Sequence, residues 1–267
     1  MTHSLSPGEG HITTTLHHTH ALLTRCASAY PLKLIAPKSY DPKTSLIYAL
    51  GYGGGLVSGD SIRLNIEVGA GTRIVMLTQG NTKVFKRRKK NGGESKQELD
   101  ARVEEDAILL LLPDPVTCFA ESSYQQVQRV RLEGDGSLLI MVDWVTSGRM
   151  SRGEKWAGRY ASKNEVYHKG ELIVRDSLVL DEATGEKFGG NLSCYATVLV
   201  VGGGRSIEIG EGGSKEDVWW STSPVAHGCV VRICGMQTEA VRDVLRGILR
   251  HAGALRYLNE DAFARVF

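Results

Sequence analysis

Hydrophobic and polar positions divide the chain into two unequal parts. From Leu32 to about Asp181, short apolar or alternating runs are punctuated by glycine and acidic turn residues, with almost no 3.6-residue periodicity. Strands are therefore predicted at Ile62 to Val68, Arg73 to Thr78, Ala107 to Leu112, Gln125 to Leu132, Ser137 to Trp144 and Leu172 to Leu180. Towards the end, Thr238 to Leu249 carries Ala240, Val241, Val244, Leu245, Ile248 and Leu249 at helical spacing. That predicts an amphipathic helix with Thr238 as N-cap and Gly253 as its stop. A second short helix is expected from Asn259 to Phe267.

The segments IEVGAGTRIVMLT, ARVEEDAILLLLP and VRLEGDGSLLIMVDW each place a tight polar turn before an apolar run, and the turns recur at roughly 30 residues. Stacked β coils give such a period, because one coil cannot bury its inner face until the next covers it. The fold class read from this is mostly β, a scaffold of stacked β-sheets or β-helix-like form with about two α-helices near the C-terminus. An ordinary β-sandwich of repeated hairpins produces a similar pattern and stays open. Residues 1–12 are polar and contain Pro7, Gly8 and Gly10, so they are expected to stay mobile until the chain joins a sheet near Thr13. The remainder, 13–267, is read as a single domain whose helical element occupies about 237–267.

Composition narrows the function. Apolar residues make up 42% and charged residues 23%, enough to bury a sizeable core. A net charge of +2 is too small for a broad phosphate-binding surface, so nucleic acid is not expected as a partner. The five cysteines form no Cys-x-x-Cys pair, which favours neither a disulfide framework nor a zinc knuckle. The start MTHSLSPGEG lacks a secretory h-region, and apolar runs such as Ile108 to Leu112 are too short to cross a bilayer. A cytoplasmic protein without membrane contact is expected.

The most unusual stretch is GYGGGLVSGD, Gly51 to Asp60. A P-loop would end in Gly-Lys-Ser or Gly-Lys-Thr, and a carboxylate there would repel phosphate, so the glycines are read as serving backbone geometry instead. In LLPDPVTCFAESSYQQ, Pro113 and Pro115 end regular pairing and fix a corner beside Asp114 and Glu121. TSGRMSRGE sets Arg149, Arg152 and Glu154 around two glycines, either as a turn with local ion pairs or as an interaction site. The run KRRKK, Lys86 to Lys90, is a solvated connection or a basic docking patch.

His17, His18 and His20 are candidate metal ligands, though strand alternation would put His18 and His20 on one face and His17 on the other. His227 and Cys229 are a second, incomplete candidate set. No nucleophile elbow and no carboxylate pair in a recognisable catalytic setting is present.

Four blocks, taken in order, resemble the UreD family of urease accessory proteins, called UreH in some lineages. They are PLKLIAP with GGGLVSGDSIRLNIEVGAG, LTQGNTKVF, LLPDPVTCFAESSYQQ and TSGRMSRGEKWAGR. A looser likeness runs through GMQTEAVRDVLRGILR and EDAFARVF. The basic loop at Lys86 to Lys90 is longer than in bacterial members, and Asp143-Trp144 stands where many carry a glutamate. With LPDPVTCF these features resemble eukaryotic, fungal members.

The resemblance implies stacked β-sheets with a pair of helices and a non-enzymatic role. The implied partners are a UreF-type accessory protein, a UreG-type GTPase and apo-urease. It implies no tightly bound cofactor: nickel passes transiently, and GTP is met only through the partner GTPase. Within the matching blocks, Gly54, Gly55, Gly59, Asp60, Gln79, Lys83, Asp114, Glu121, Arg149 and Glu154 are the candidates for a polar path or an interface. The competing readings are a small β-rich hydrolase with a site around Asp60 and Glu154, and a stand-alone metal-binding protein using the histidines.

Overall fold

The computed structural model describes residues 4–87, 92–147, 158–185, 188–202 and 210–258. The chain begins with β1 (Glu9–His17), β2 (His20–Ser28), β3 (Leu32–Ile35), β4 (Thr44–Gly51), β5 (Ser61–Val68) and β6 (Arg73–Thr78). It continues through β7 (Thr82–Val84), β8 (Ser95–Val103), β9 (Ile108–Leu112), β10 (Val116–Cys118), β11 (Ser122–Leu132) and β12 (Leu138–Thr146). Next come β13 (Gly158–His168), β14 (Glu171–Asp181), β15 (Cys194–Gly202), β16 (Gly213–Lys215), β17 (Val218–Val225) and β18 (Gly228–Gly235). One α-helix among the described residues, α1 (Thr238–His251), follows them.

Among the described residues these strands form two sheets. The first, sheet A, has seven strands in the order β14-β13-β11-β8-β5-β1-β2. The second, sheet B, has eleven and runs β16-β17-β18-β15-β12-β9-β6-β4-β3, with β10 beside β12 and β7 beside β10. The repeated segments are the coils of the stack. Strands β5, β8, β11 and β13 pair in parallel in sheet A, while β4, β6, β9 and β12 do so in sheet B. Each coil crosses from sheet A to sheet B through a tight turn, at 69–72, 104–107 and 133–137. Every turn is tied to the one before it: Glu104 N–H donates to Val68 O at 3.0 Å and Glu133 N–H to Val103 O at 2.9 Å. Val68, Val103 and Leu132 are register partners, and all three are fully buried.

Both architectures left open by the sequence hold over part of the chain. The coils stack in parallel in the middle, whereas antiparallel hairpins flank them: β1 with β2, β13 with β14, and β15, β18 and β17 in succession. Strands β2, β3, β4, β10, β13, β15, β16, β17 and β18 were not singled out in the sequence.

The N-terminal boundary also differs. Pairing begins at Glu9 rather than near Thr13, because β1 runs parallel to β5 from Glu9↔Arg63 onward and buries Ile12 completely. A polar, glycine-containing composition does not reveal that a neighbouring strand awaits.

Apolar burial occupies two layers. One lies between the sheets; the other lies between sheet B and α1, where Val241, Leu245, Ile248 and Leu249 meet the outer side of sheet B. Each such side chain contributes about 1.5–3 kcal/mol relative to exposure. Because sheet B is covered on both sides, all of β12 is buried and its sequence LLIMVDWVT reads as a nearly continuous apolar run. Gly253, with φ +79°, ends the helix as expected. The N-cap is Gln237, however, not Thr238, whose hydroxyl instead lies 3.0 Å from that of Thr146. The second helix expected from Asn259 lies outside the described residues.

Candidate functional site

Parallel coiling sends the C-termini of β4, β6, β9 and β12 and the N-termini of β5, β8, β11 and β13 to one end of the stack. The tight turns occupy the other end. Beneath the first end lies a cavity of about 270 Å³. Its mouth is formed by Gly51, Gly54, Gly55 and the loop Gln79–Lys83; its floor includes Gln97, Gln126, Gln128 and Asp143.

The floor opens onto a buried polar row. Asp143, on the inner side of β12, accepts four hydrogen bonds. Gln126 Nε2 (2.6 Å) and Tyr160 Oη (3.2 Å) donate to Oδ1, while Ser162 Oγ (2.5 Å) and Asn164 Nδ2 (2.7 Å) donate to Oδ2. Gln128 Nε2 donates to Asn164 Oδ1 at 2.9 Å, and Tyr124 Oη donates to Gln126 Oε1 at 3.0 Å.

Register explains the alignment. In sheet A, Gln128 is the cross-strand partner of Asn164, and Asn164 that of Asp176. In sheet B, Asp143 is paired with Thr197, and Thr197 with Arg232. The two rows face each other across the sandwich and end where Arg232 grips Asp176, with Nη2 at 2.5 Å and Nε at 3.1 Å.

Charge in the row is unevenly compensated. Burial pushes the Asp143 carboxyl above its ordinary range; the bonds from Ser162, Asn164 and Tyr160 work against this, and the negative charge of Asp176 adds to it. Burial, reinforced by the charge of Asp143, lifts the Tyr124 and Tyr160 hydroxyls well above the usual phenol range, so both remain protonated donors. All four direct donors to Asp143 are neutral, whereas Asp176 has a guanidinium. A carboxylate in this setting offers negative charge to a passing cation without a multidentate cage to trap it.

The candidates read from the sequence divide. Gly54, Gly55, Gln79, Lys83 and Asp114 line the cavity. A Cβ on Gly55 would come within 2.4 Å of the Lys83 carbonyl oxygen, so this position needs glycine for a close approach. Asp114 accepts from Gly80 N–H (2.9 Å) and Thr78 Oγ1 (3.2 Å), which fixes the rim loop. Arg242 of α1 stands 3.7 Å from its carboxylate.

Gly59 and Asp60 belong to the adjoining turn, where Asp60 Oδ2 accepts from Val57 N–H at 2.9 Å. Glu121 is exposed and pairs with Lys86 at 2.6 Å. Arg149 and Glu154 lie outside the described residues, as does the basic run beyond Arg87.

The histidine geometry requires a correction. The chain reverses at His18 and Thr19, so His17 and His20 are cross-strand neighbours rather than residues on opposite faces of one strand. His227 sits in the β17–β18 turn against the His168 ring, 4.6 Å between centroids, while Cys229 is buried on the helix side of sheet B. Among the described residues, no group of three or more His, Cys, Asp or Glu side chains is arranged to hold a metal ion.

The centre of the site falls outside the residues that the sequence motifs single out. Asp143 was noted only as a departure from a family pattern, and Gln126, Gln128, Ser162, Asn164 and Asp176 were not noted. A usable signal was present: a lone carboxylate inside the apolar run LLIMVDWV has to be satisfied by buried donors.

Fold and site together define a coiled two-sheet β scaffold with a polar interior reached from one end. The family model described as UreD urease accessory protein matches residues 6–265. "Urease accessory protein UreD" of Sorangium cellulosum is 36% identical, with 97% of this chain and 84% of the relative covered. "Urease accessory protein 4" of Cryptococcus neoformans is 32% identical, covering 98% and 95%. A ureD-like urease accessory protein of Schizosaccharomyces pombe is 44% identical over 57% of this chain and 55% of its own length. The chain belongs to the UreD family of urease accessory proteins. No helix among the described residues is long and apolar enough to cross a membrane.

Proposed function

We propose that this chain is a non-catalytic subunit of urease maturation, acting in the cytoplasm with a UreF-type accessory protein, a UreG-type GTPase and apo-urease. In this reading Ni2+ is cargo: it arrives at the cavity between Gly54, Gln79 and Asp114 and is passed along the buried row beginning at Asp143. The observation that carries the proposal is that row, in which a buried carboxylate bonded only by neutral donors lies on the floor of a cavity ringed by family motifs.

Strands hold these groups at fixed spacing, and the amide and hydroxyl oxygens around Asp143 add neutral acceptor atoms beside its carboxylate. GTP is bound by the partner GTPase, and this chain supplies positioning without turnover. The test is Asp143→Asn in the host. The variant chain should accumulate and still associate with its partners, while urease accumulates with little nickel and little activity. Urease with a full nickel complement beside Asp143→Asn would remove the proposal.

A further inference from the structure

Sheet A ends at β14, which meets β18 through the Asp176–Arg232 pair, but sheet B continues past that point through β17 and β16. Among the described residues no strand of sheet A pairs beyond β14, and Trp219 of β17, the cross-strand partner of Cys234, is 42% exposed. The polar row runs out at this overhang. Its last members are Asp176, whose side chain is 7% exposed, and Arg232, whose side chain is 52% exposed. Thr197 Oγ1 adds a long contact of 3.4 Å to Asp176 Oδ2. The cavity thus marks one end of the row, and an ion pair at the sheet edge stands at the other.

We infer that the Arg232–Asp176 pair is a gate at a second, lateral opening of the row, closed when the guanidinium is seated on Asp176 and open when it swings into solvent. This rests on the reading of the row as an ion path. Three features carry it. The guanidinium is half exposed, so it can leave Asp176 without crossing packed side chains. Asp176 is buried and adjoins Asn164, which bonds Asp143, so a freed Asp176 would be the next carboxylate an ion meets. A seated Arg232 also supplies the positive charge that keeps Asp176 from becoming a resting place for a divalent cation. In the closed state the row therefore holds one uncompensated carboxylate, Asp143, and in the open state two.

The test uses the full chain purified with its accessory partners, with Ni2+ alone as the probe. Nickel retained after dialysis and the rate of its extraction by a chromogenic chelator are measured. Arg232→Gln removes the charge and should increase nickel affinity about tenfold or more, as expected when an arginine is taken from beside a carboxylate. It should also slow nickel loading of urease. The double variant Asp176→Asn/Arg232→Gln, with neither charge, should return retention to the wild-type level.

If Arg232→Gln fails to fold, Arg232→Lys carries the test. It keeps the charge but loses the two-pronged grip, so extraction should become several-fold faster with fold preserved. Wild-type retention and loading in Arg232→Gln, or wild-type extraction in Arg232→Lys, overturns the gate. If either of those wild-type results is found while Asp143→Asn blocks urease loading, the gate falls and the path stands. If Asp143→Asn loads normally, the path reading itself fails.

Discussion

The two ends of the coil stack are made of the same residue types put to opposite uses. At the turn end, glycines and acidic residues close 69–72, 104–107 and 133–137 so tightly that backbone meets backbone: a Cβ on Gly69 would stand 2.3 Å from the Thr14 carbonyl oxygen. At the cavity end, a Cβ on Gly51, Gly53, Gly54 or Gly80 would meet nothing within 4 Å. Glycine at the first end is demanded by stacking. At the second end Gly55 serves a close approach to Lys83 and Gly53, Gly54 and Gly80 serve left-handed backbone, at φ +76°, +74° and +79°, while the space beside Gly51, Gly53, Gly54 and Gly80 stays free of side chains. Sequence alone does not separate the two uses, since VGAG and GYGGG look equally turn-like.

Substitutions can break or sharpen this contrast. Gly69→Ala should be the most damaging to stability, costing about 2–3 kcal/mol because backbone has to move and part of the β1–β5 pairing with it. Thermal unfolding checks this, and an unchanged Tm would mean that the turn is not closely stacked.

Asp114→Ala at the cavity rim should cost about 1–2 kcal/mol by leaving Gly80 N–H and Thr78 Oγ1 without their acceptor. It should also speed hydrogen exchange in the Gln79–Lys83 loop while leaving the turn end untouched. Equal acceleration at both ends would erase the contrast.

Asp143 predicts a pH effect whose sign follows from burial. Its folded-state carboxyl binds a proton more readily than the unfolded one, so its contribution to stability is fully present below the ordinary carboxylate range and is lost as pH rises through the lifted value. The Tm of wild type minus that of Asp143→Asn should therefore fall as pH rises from acid toward neutral. A difference that rises with pH would mean that the four donors outweigh burial.

Gly51→Ala should have the smallest effect, within about 0.5 kcal/mol, since its φ of −93° suits any residue and the space is open. A Tm loss like that of Gly69→Ala would show that the mouth is packed after all.

Legibility followed the range of each interaction. The bounds Arg73–Thr78 were read correctly because a strand flanked by polar turns declares itself locally. So did the stop at Gly253, where left-handed backbone favours glycine. The start of β1 was misplaced because Ile12 is buried by β5, a distant part of the chain. His17 and His20 were put on opposite faces because the hairpin reversal at His18 was not recognised. The cavity end was partly legible, since Gln79, Lys83 and Asp114 fall in motif blocks that the coiling brings together.

The sequence by itself determined the β character, the coil period and the terminal helix, because burial of one face imposes a repeating apolar pattern on neighbouring residues. It also carried the family, through motifs kept in order. Only the tertiary structure decided that Asp143, Asn164, Asp176, Thr197 and Arg232 form one row. That alignment depends on the register between strands far apart in the chain, and a shift of a single residue would have turned each of those side chains to the other face of its sheet.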